Sequence, residues 1–149
     1  MRPTVEEQLL GTCRILEETV APEVANAHAS EVLRGLIANL RMLNAALPGL
    51  TPFLLWDNEA TSALLASADT AVPAEMSAAI RSVLVAPADS SDPAVLGERN
   101  EELRDLLSRI LDDGRPSDDW MRQARSHLAE RSARSPIRYA TPLPAARKS

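Results

Sequence analysis

Apolar residues recur along most of this chain at spacings of three and four, the repeat of an amphipathic α-helix. Leu9, Cys13, Leu16 and Val20 form the first such face. Thr4 and Glu7 stand in capping-box spacing, which predicts a helix from Thr4 to about residue 21, where Pro22 ends it or begins a short turn. Leu33, Leu36, Ile37, Leu40, Leu43 and Leu47 trace a second helix over 30–47, capped by Asn26 or Ser30 and stopped by Pro48 and Gly49. A third, over 51–67, starts at Thr51 with Pro52 at its first position and puts Phe53, Trp56, Ala60, Ala63, Leu64 and Ser67 on one face.

After a loop over 68–73, a shorter helix over 73–85 turns Met76, Ala79, Ile80, Val83 and Leu84 inward. The stretch 86–92 is rich in Ala, Pro, Asp and Ser and reads as a loop. Asp92 then caps a helix over 93–113 whose inward set is Leu96, Leu103, Leu106, Leu107, Ile110 and Leu111, with Gly114 closing it. Ser117 caps the last helix, with Trp120, Ala124, His127 and Leu128 inward. No run alternates apolar and polar residues without also fitting a helix. The expected fold is all-α: an up-and-down helical bundle of five to six helices, one domain over 1–133. From Arg134 to Ser149 the chain carries Pro136, Pro142 and Pro144 and no periodicity, so a disordered, flexible tail is expected there.

Composition supports helices. Aromatic residues are only 3% of the 149, so the core must be Leu, Val, Ile, Ala and Met, a set that suits packed helices better than strands. The net charge of −5 is unevenly spread. Arg134, Arg138, Arg147 and Lys148 fall in the tail, leaving twelve basic against twenty-one acidic residues in the body. Nucleic acid is therefore not expected as a partner, since its phosphates need clustered cations. No stretch approaches the roughly 20 apolar residues that cross a bilayer, and the N-terminal residues lack the apolar run of a signal peptide. One cysteine, Cys13, suits a reducing compartment, and a cytoplasmic location is expected.

Reactive constellations are missing from the pattern. A di-iron bundle needs two Glu-x-x-His motifs, yet the residues three before His28 and His127 are Ala25 and Ala124. No metal or cofactor is expected. Cys13 lies in an apolar stripe, as a small hydrophobe does. There is no Gly-x-Ser-x-Gly elbow and no Gly-rich phosphate loop. The informative polar residues sit in or beside apolar stripes: Arg34, Asn39 and Asn44, the Trp56-Asp57-Asn58 triplet, and Arg99-Asn100. Buried, they need partners, which leaves two readings. One is a cross-helix network that fixes register. The other is an interhelical pocket for an anionic ligand, lined by Arg34, Asn39, Trp56 and Asn100.

The pattern Pro3-Thr4-x-x-Glu7-x-Leu9-Leu10, then Leu16-Glu17-Glu18-x-Val20-x-Pro22, then Leu33-Arg34-x-x-x-Ala38-Asn39-x-x-x-x-Leu43, resembles a small all-helical bacterial domain family of unknown function. Its members are encoded near acyl-CoA dehydrogenases and aminoglycoside-phosphotransferase-like kinases. The resemblance covers the first third of the chain and implies an accessory role near acyl-CoA metabolism; it carries no catalytic residues. The sequence thus points to a non-enzymatic helical accessory or protein-interaction protein. The Leu- and Ala-rich first two helices can offer a second apolar face to a partner, and a homodimer is the expected assembly. The competing expectation is a protein or enzyme subunit that binds an anionic, acyl-CoA-like small molecule.

Overall fold

The structure, a computed structural model, describes residues 3–68, 72–85, 90–114 and 116–137. The chain is all-α. Among the described residues there are five α-helices and no strand. They are α1 (Val5–Ile15), α2 (Ala27–Ala66), α3 (Ala74–Val85), α4 (Pro93–Asp113) and α5 (Asp118–Arg134). The described residues fall into two compact units: those up to Pro48 with Pro136 and Ile137, and those between Gly49 and Ser135.

In the first unit, α1 begins with the expected box. Thr4 Oγ1 accepts from the Glu7 amide at 3.2 Å, and Glu7 Oε2 accepts from the Thr4 amide at 2.8 Å. The helix continues through a π-helical turn, Leu16–Val20, and a 3-10 turn, Ala21–Glu23, that takes in Pro22. Asn26 caps α2 by accepting from the Ala29 amide at 3.0 Å. Arg41 of α2 donates to Glu17 of the π-turn at 2.7 Å. Cys13, Ile37 and Ala46 are buried. The apolar stripe of α2 splits lengthwise: Ile37 is buried and Leu33 and Leu40 are half-buried, while Leu36, Leu43 and Leu47 are exposed together with Val32.

The sequence predicts a break at Pro48-Gly49, but α2 runs unbroken for 40 residues. A proline inside a helix removes one N–H bond and crowds the carbonyl four residues back, at about 3 kcal/mol. Pro48 and Pro52 are both exposed on α2, so water can solvate the carbonyls they strip of donors. Packing at Leu54, Leu64 and Leu65, all buried, then outweighs the local stop signal.

The second unit is a bundle of the end of α2 with α3, α4 and α5. Its core joins Leu64 and Leu65 of α2, Val72, Met76 and Ile80 at α3, Leu103, Leu106, Leu107 and Ile110 of α4, and Trp120 and Ala124 of α5. Caps fall where expected. Asp92 accepts from the Ala94 amide at 2.9 Å with Pro93 beginning α4, and Ser117 accepts from the Trp120 amide at 3.3 Å. Gly114 closes α4 in right-handed geometry, and its role is clearance: a Cβ there would stand 2.6 Å from the Ile110 carbonyl oxygen. Contacts descend α5 as they ascend α2, from Asp57–Arg131 through Thr61–His127 to Leu64–Trp120, so these two run antiparallel.

Two inward faces differ from the sequence reading. Over 51–67 the buried set is Leu54, Asp57, Asn58, Thr61, Leu64 and Leu65, whereas Phe53, Trp56 and Ala60 are half-buried and Ala63 and Ser67 exposed. The face is turned about the helix axis because three polar side chains lie inside. On α5, His127 takes the inner position and Leu128 is exposed. Arg134, expected in the tail, is helical and stands over the Trp56 ring at 4.4 Å. Residues 138–149, most of the expected tail, and 86–89 of the expected loop lie outside the described residues.

Candidate functional site

Asp57 is the centre of the polar interior of the second unit. It is fully buried on α2. Its Oδ2 accepts from Asn100 Nδ2 of α4 and from Arg131 Nε of α5, each at 2.7 Å. Asn100 Nδ2 also donates to Asn58 Oδ1 at 2.9 Å, so both of its amide protons are used. Asn58 Nδ2 in turn donates to the Leu96 carbonyl at 3.0 Å. A carboxylate taken out of water is stable only when paired and hydrogen-bonded. Here one cation and one amide from two other helices meet that demand at Oδ2. The network ties α2, α4 and α5 together at one level.

Asp57 Oδ1 accepts no hydrogen bond; His127 Nε2 lies 3.5 Å away. The same Nε2 is 2.9 Å from Thr61 Oγ1. Carboxylate, imidazole and hydroxyl thus stand together, but not as a proton relay. A relay needs the acid and the hydroxyl at opposite ring nitrogens, and here both meet Nε2. Thr61 is also fully buried, at the wall of a small neighbouring cavity. The neighbouring cavity, bounded in part by Leu107, Leu111, His127 and Arg131, holds about 140 Å³. Small-molecule sites hold roughly 300–1,000 Å³. The cluster joins α2, α4 and α5 through its hydrogen bonds.

Stacked cations extend it outward. Arg131 stands over Phe53 at 5.7 Å, and the Trp56 ring lies 5.8 Å from the His127 ring. Each such guanidinium–ring contact contributes about 0.5–1 kcal/mol where it is exposed.

Of the four residues expected to line a pocket, Asn100 is in the network and Trp56 borders it, half-buried. Arg34 and Asn39 are exposed on the first-unit part of α2 and belong to no hydrogen bond of this network. His127 and Arg131 were not singled out as its members. Their spacing of four on one face of α5 was the available signal, but a partner 74 residues away leaves none.

A second feature lies between α2 and α4: a groove of about 370 Å³. Leu55, Val95 and Leu96 form its apolar wall, and Glu59, Ser62, Ser90 and Arg99 add polar groups. Among the described residues, no group of three or more His, Cys, Asp or Glu side chains could hold a metal ion, and no helix is long and apolar enough to cross a membrane. Compared with known protein families, curated proteins and solved structures, the chain matches none.

Proposed function

We propose that this protein is a non-enzymatic helical interaction protein that works as a homodimer, pairing through the exposed face of α2. The observation that carries this reading is the row Val32, Leu36, Leu43 and Leu47, all exposed. Their spacings of four, seven and four keep them on one narrow face of the helix. Asn39 falls on the same face, completing a four-three-four seam with Val32, Leu36 and Leu43. A lone polar residue in an apolar seam is the device by which paired helices fix register and oligomer state. The buried side chains of the first unit, by contrast, are few: Cys13, Ile37 and Ala46.

The polar network supports the non-enzymatic part, since Asn58, Asn100 and Asp57 Oδ2 are held by one another and by Arg131. The resemblance of the first third supports an accessory role beside acyl-CoA metabolism, in a bacterial cytoplasm that keeps the buried Cys13 reduced. Sedimentation velocity at tens of micromolar tests the assembly. A dimer is expected, and a strict monomer there would overturn the proposal.

A further inference from the structure

Arg99 is a cation answered by one long ion pair and by no hydrogen bond at Nη1. Its side chain lines the α2–α4 groove and is only 12% exposed. Nη1 is buried and makes no hydrogen bond, and the nearest carboxylate oxygen, on the largely exposed Glu102, is 3.5 Å away. A guanidinium carries five N–H donors and cannot shed its proton, so burial leaves it in want of an anion. Asn100, the next residue, has every amide proton placed. The contrast marks Arg99 as a group whose one partner, the exposed Glu102, leaves it short of hydrogen-bond acceptors.

The rest of the groove specifies that partner. Ser90 Oγ accepts from the Asp92 amide at 3.1 Å, which leaves its own proton free to donate. Ser62 adds a second hydroxyl. Asn58 is committed to Leu96 and Asn100. Among the described residues Glu59 is the one acid of the lining, and it is exposed, so solvent and salt screen it. Donors therefore cluster against an apolar wall of Leu55, Val95 and Leu96. The groove holds about 370 Å³, near the lower end of the roughly 300–1,000 Å³ of small-molecule sites.

We propose that this groove binds a medium-length aliphatic carboxylate, its head on Arg99 with Ser62 and Ser90, its chain along Leu55, Val95 and Leu96. The carboxylate displaces Glu102 from the guanidinium and supplies the charge-assisted bonds that Arg99 lacks. The site uses no residue of the α2 seam and does not depend on dimerisation.

Calorimetric titration of the full chain with octanoate tests this, with octanol and octylammonium as controls. Octanoate is expected to saturate one site per chain, octanol to bind at least tenfold more weakly, and octylammonium not to saturate. Arg99→Gln should weaken octanoate at least tenfold. Val95→Trp, at an exposed position that leaves the core untouched, should fill the groove and abolish binding even if the Arg99 variant fails to fold. Glu102→Gln should tighten binding, because it removes the competing carboxylate. The proposal is overturned if octanoate does not saturate, if octanol binds as tightly, or if folded Arg99→Gln or Val95→Trp protein retains full affinity.

Discussion

Arg131 Nε donates to Asp57 Oδ2 at 2.7 Å, a contact between the last turn of α5 and a fully buried carboxylate on α2. Arg131 is the only full cation in hydrogen-bond contact with Asp57 among the described residues. The pair is asymmetric: the Arg131 side chain is 23% exposed and that of Asp57 is 0% exposed. Removing Arg131 strands a charge in the interior, whereas removing the charge of Asp57 leaves an arginine that water can reach. Arg131→Met should therefore cost roughly 3–5 kcal/mol, the usual loss when one member of a buried pair is deleted. Asp57→Asn should cost less, because an amide oxygen can still accept from Asn100. Chemical denaturation of both variants checks the order. Equal losses would mean that hydrogen bonding, not charge pairing, dominates here.

Trp120 Nε1 donates to the Leu64 carbonyl at 2.9 Å. That carbonyl lies in the last turn of α2, where helix carbonyls run out of backbone donors. Ser67 Oγ also donates to it, at 2.8 Å. Because the serine remains, Trp120→Phe should lose about 1 kcal/mol for the hydrogen bond. Trp120→Ala, which also empties a buried core position, should lose roughly 3–5 kcal/mol. Trp56 is then the sole tryptophan, so its fluorescence reports unfolding from beside His127 and Arg134.

How much of this was legible in the sequence depends on range. The caps at Thr4, Asp92 and Ser117 rest on residues two or three apart, and all three fall where the spacing put them. The core faces of α3 and α4 were legible because apolar residues form all of the first and all but Asn100 of the second. The inward face over 51–67 was not. Asp57, Asn58 and Thr61 are polar, and a hydrophobic repeat assigns such residues to solvent unless their partners are known. Those partners are Asn100, Leu96, His127 and Arg131, all far along the chain. Of the candidate site, the Asp57-Asn58 and Arg99-Asn100 pairs were visible as polar intruders; their partners were not.

The run of α2 through Pro48 makes its own prediction. The proline stays in the helix although it forfeits a backbone bond, so replacing it with alanine should restore that bond. Pro48→Ala is expected to stabilise the helix by about 1–3 kcal/mol, less than the full proline penalty because the unfolded chain also gains freedom. Amide exchange read residue by residue should show rising protection on both sides of residue 48. Unchanged or lower protection would mean that α2 does not persist as one helix through this point.

The seam on α2 separates two roles that one side chain cannot play together. Leu36 and Leu43 are exposed, so in a lone chain their replacement by glutamate removes little buried area and should change stability by under about 0.5 kcal/mol. In a dimer the same change places like charges opposite an apolar partner. Leu36→Glu with Leu43→Glu should then weaken association at least a hundredfold, about 2.7 kcal/mol, and give monomers in sedimentation. Asn39→Leu acts differently: it removes the polar register mark from an otherwise apolar seam, so association should tighten while specificity falls, with trimers or larger species beside the dimer. A seam that pairs must respond to both changes in opposite directions. If the double glutamate variant sediments as the native protein does, and Asn39→Leu leaves the distribution of species untouched, α2 presents this face to water alone.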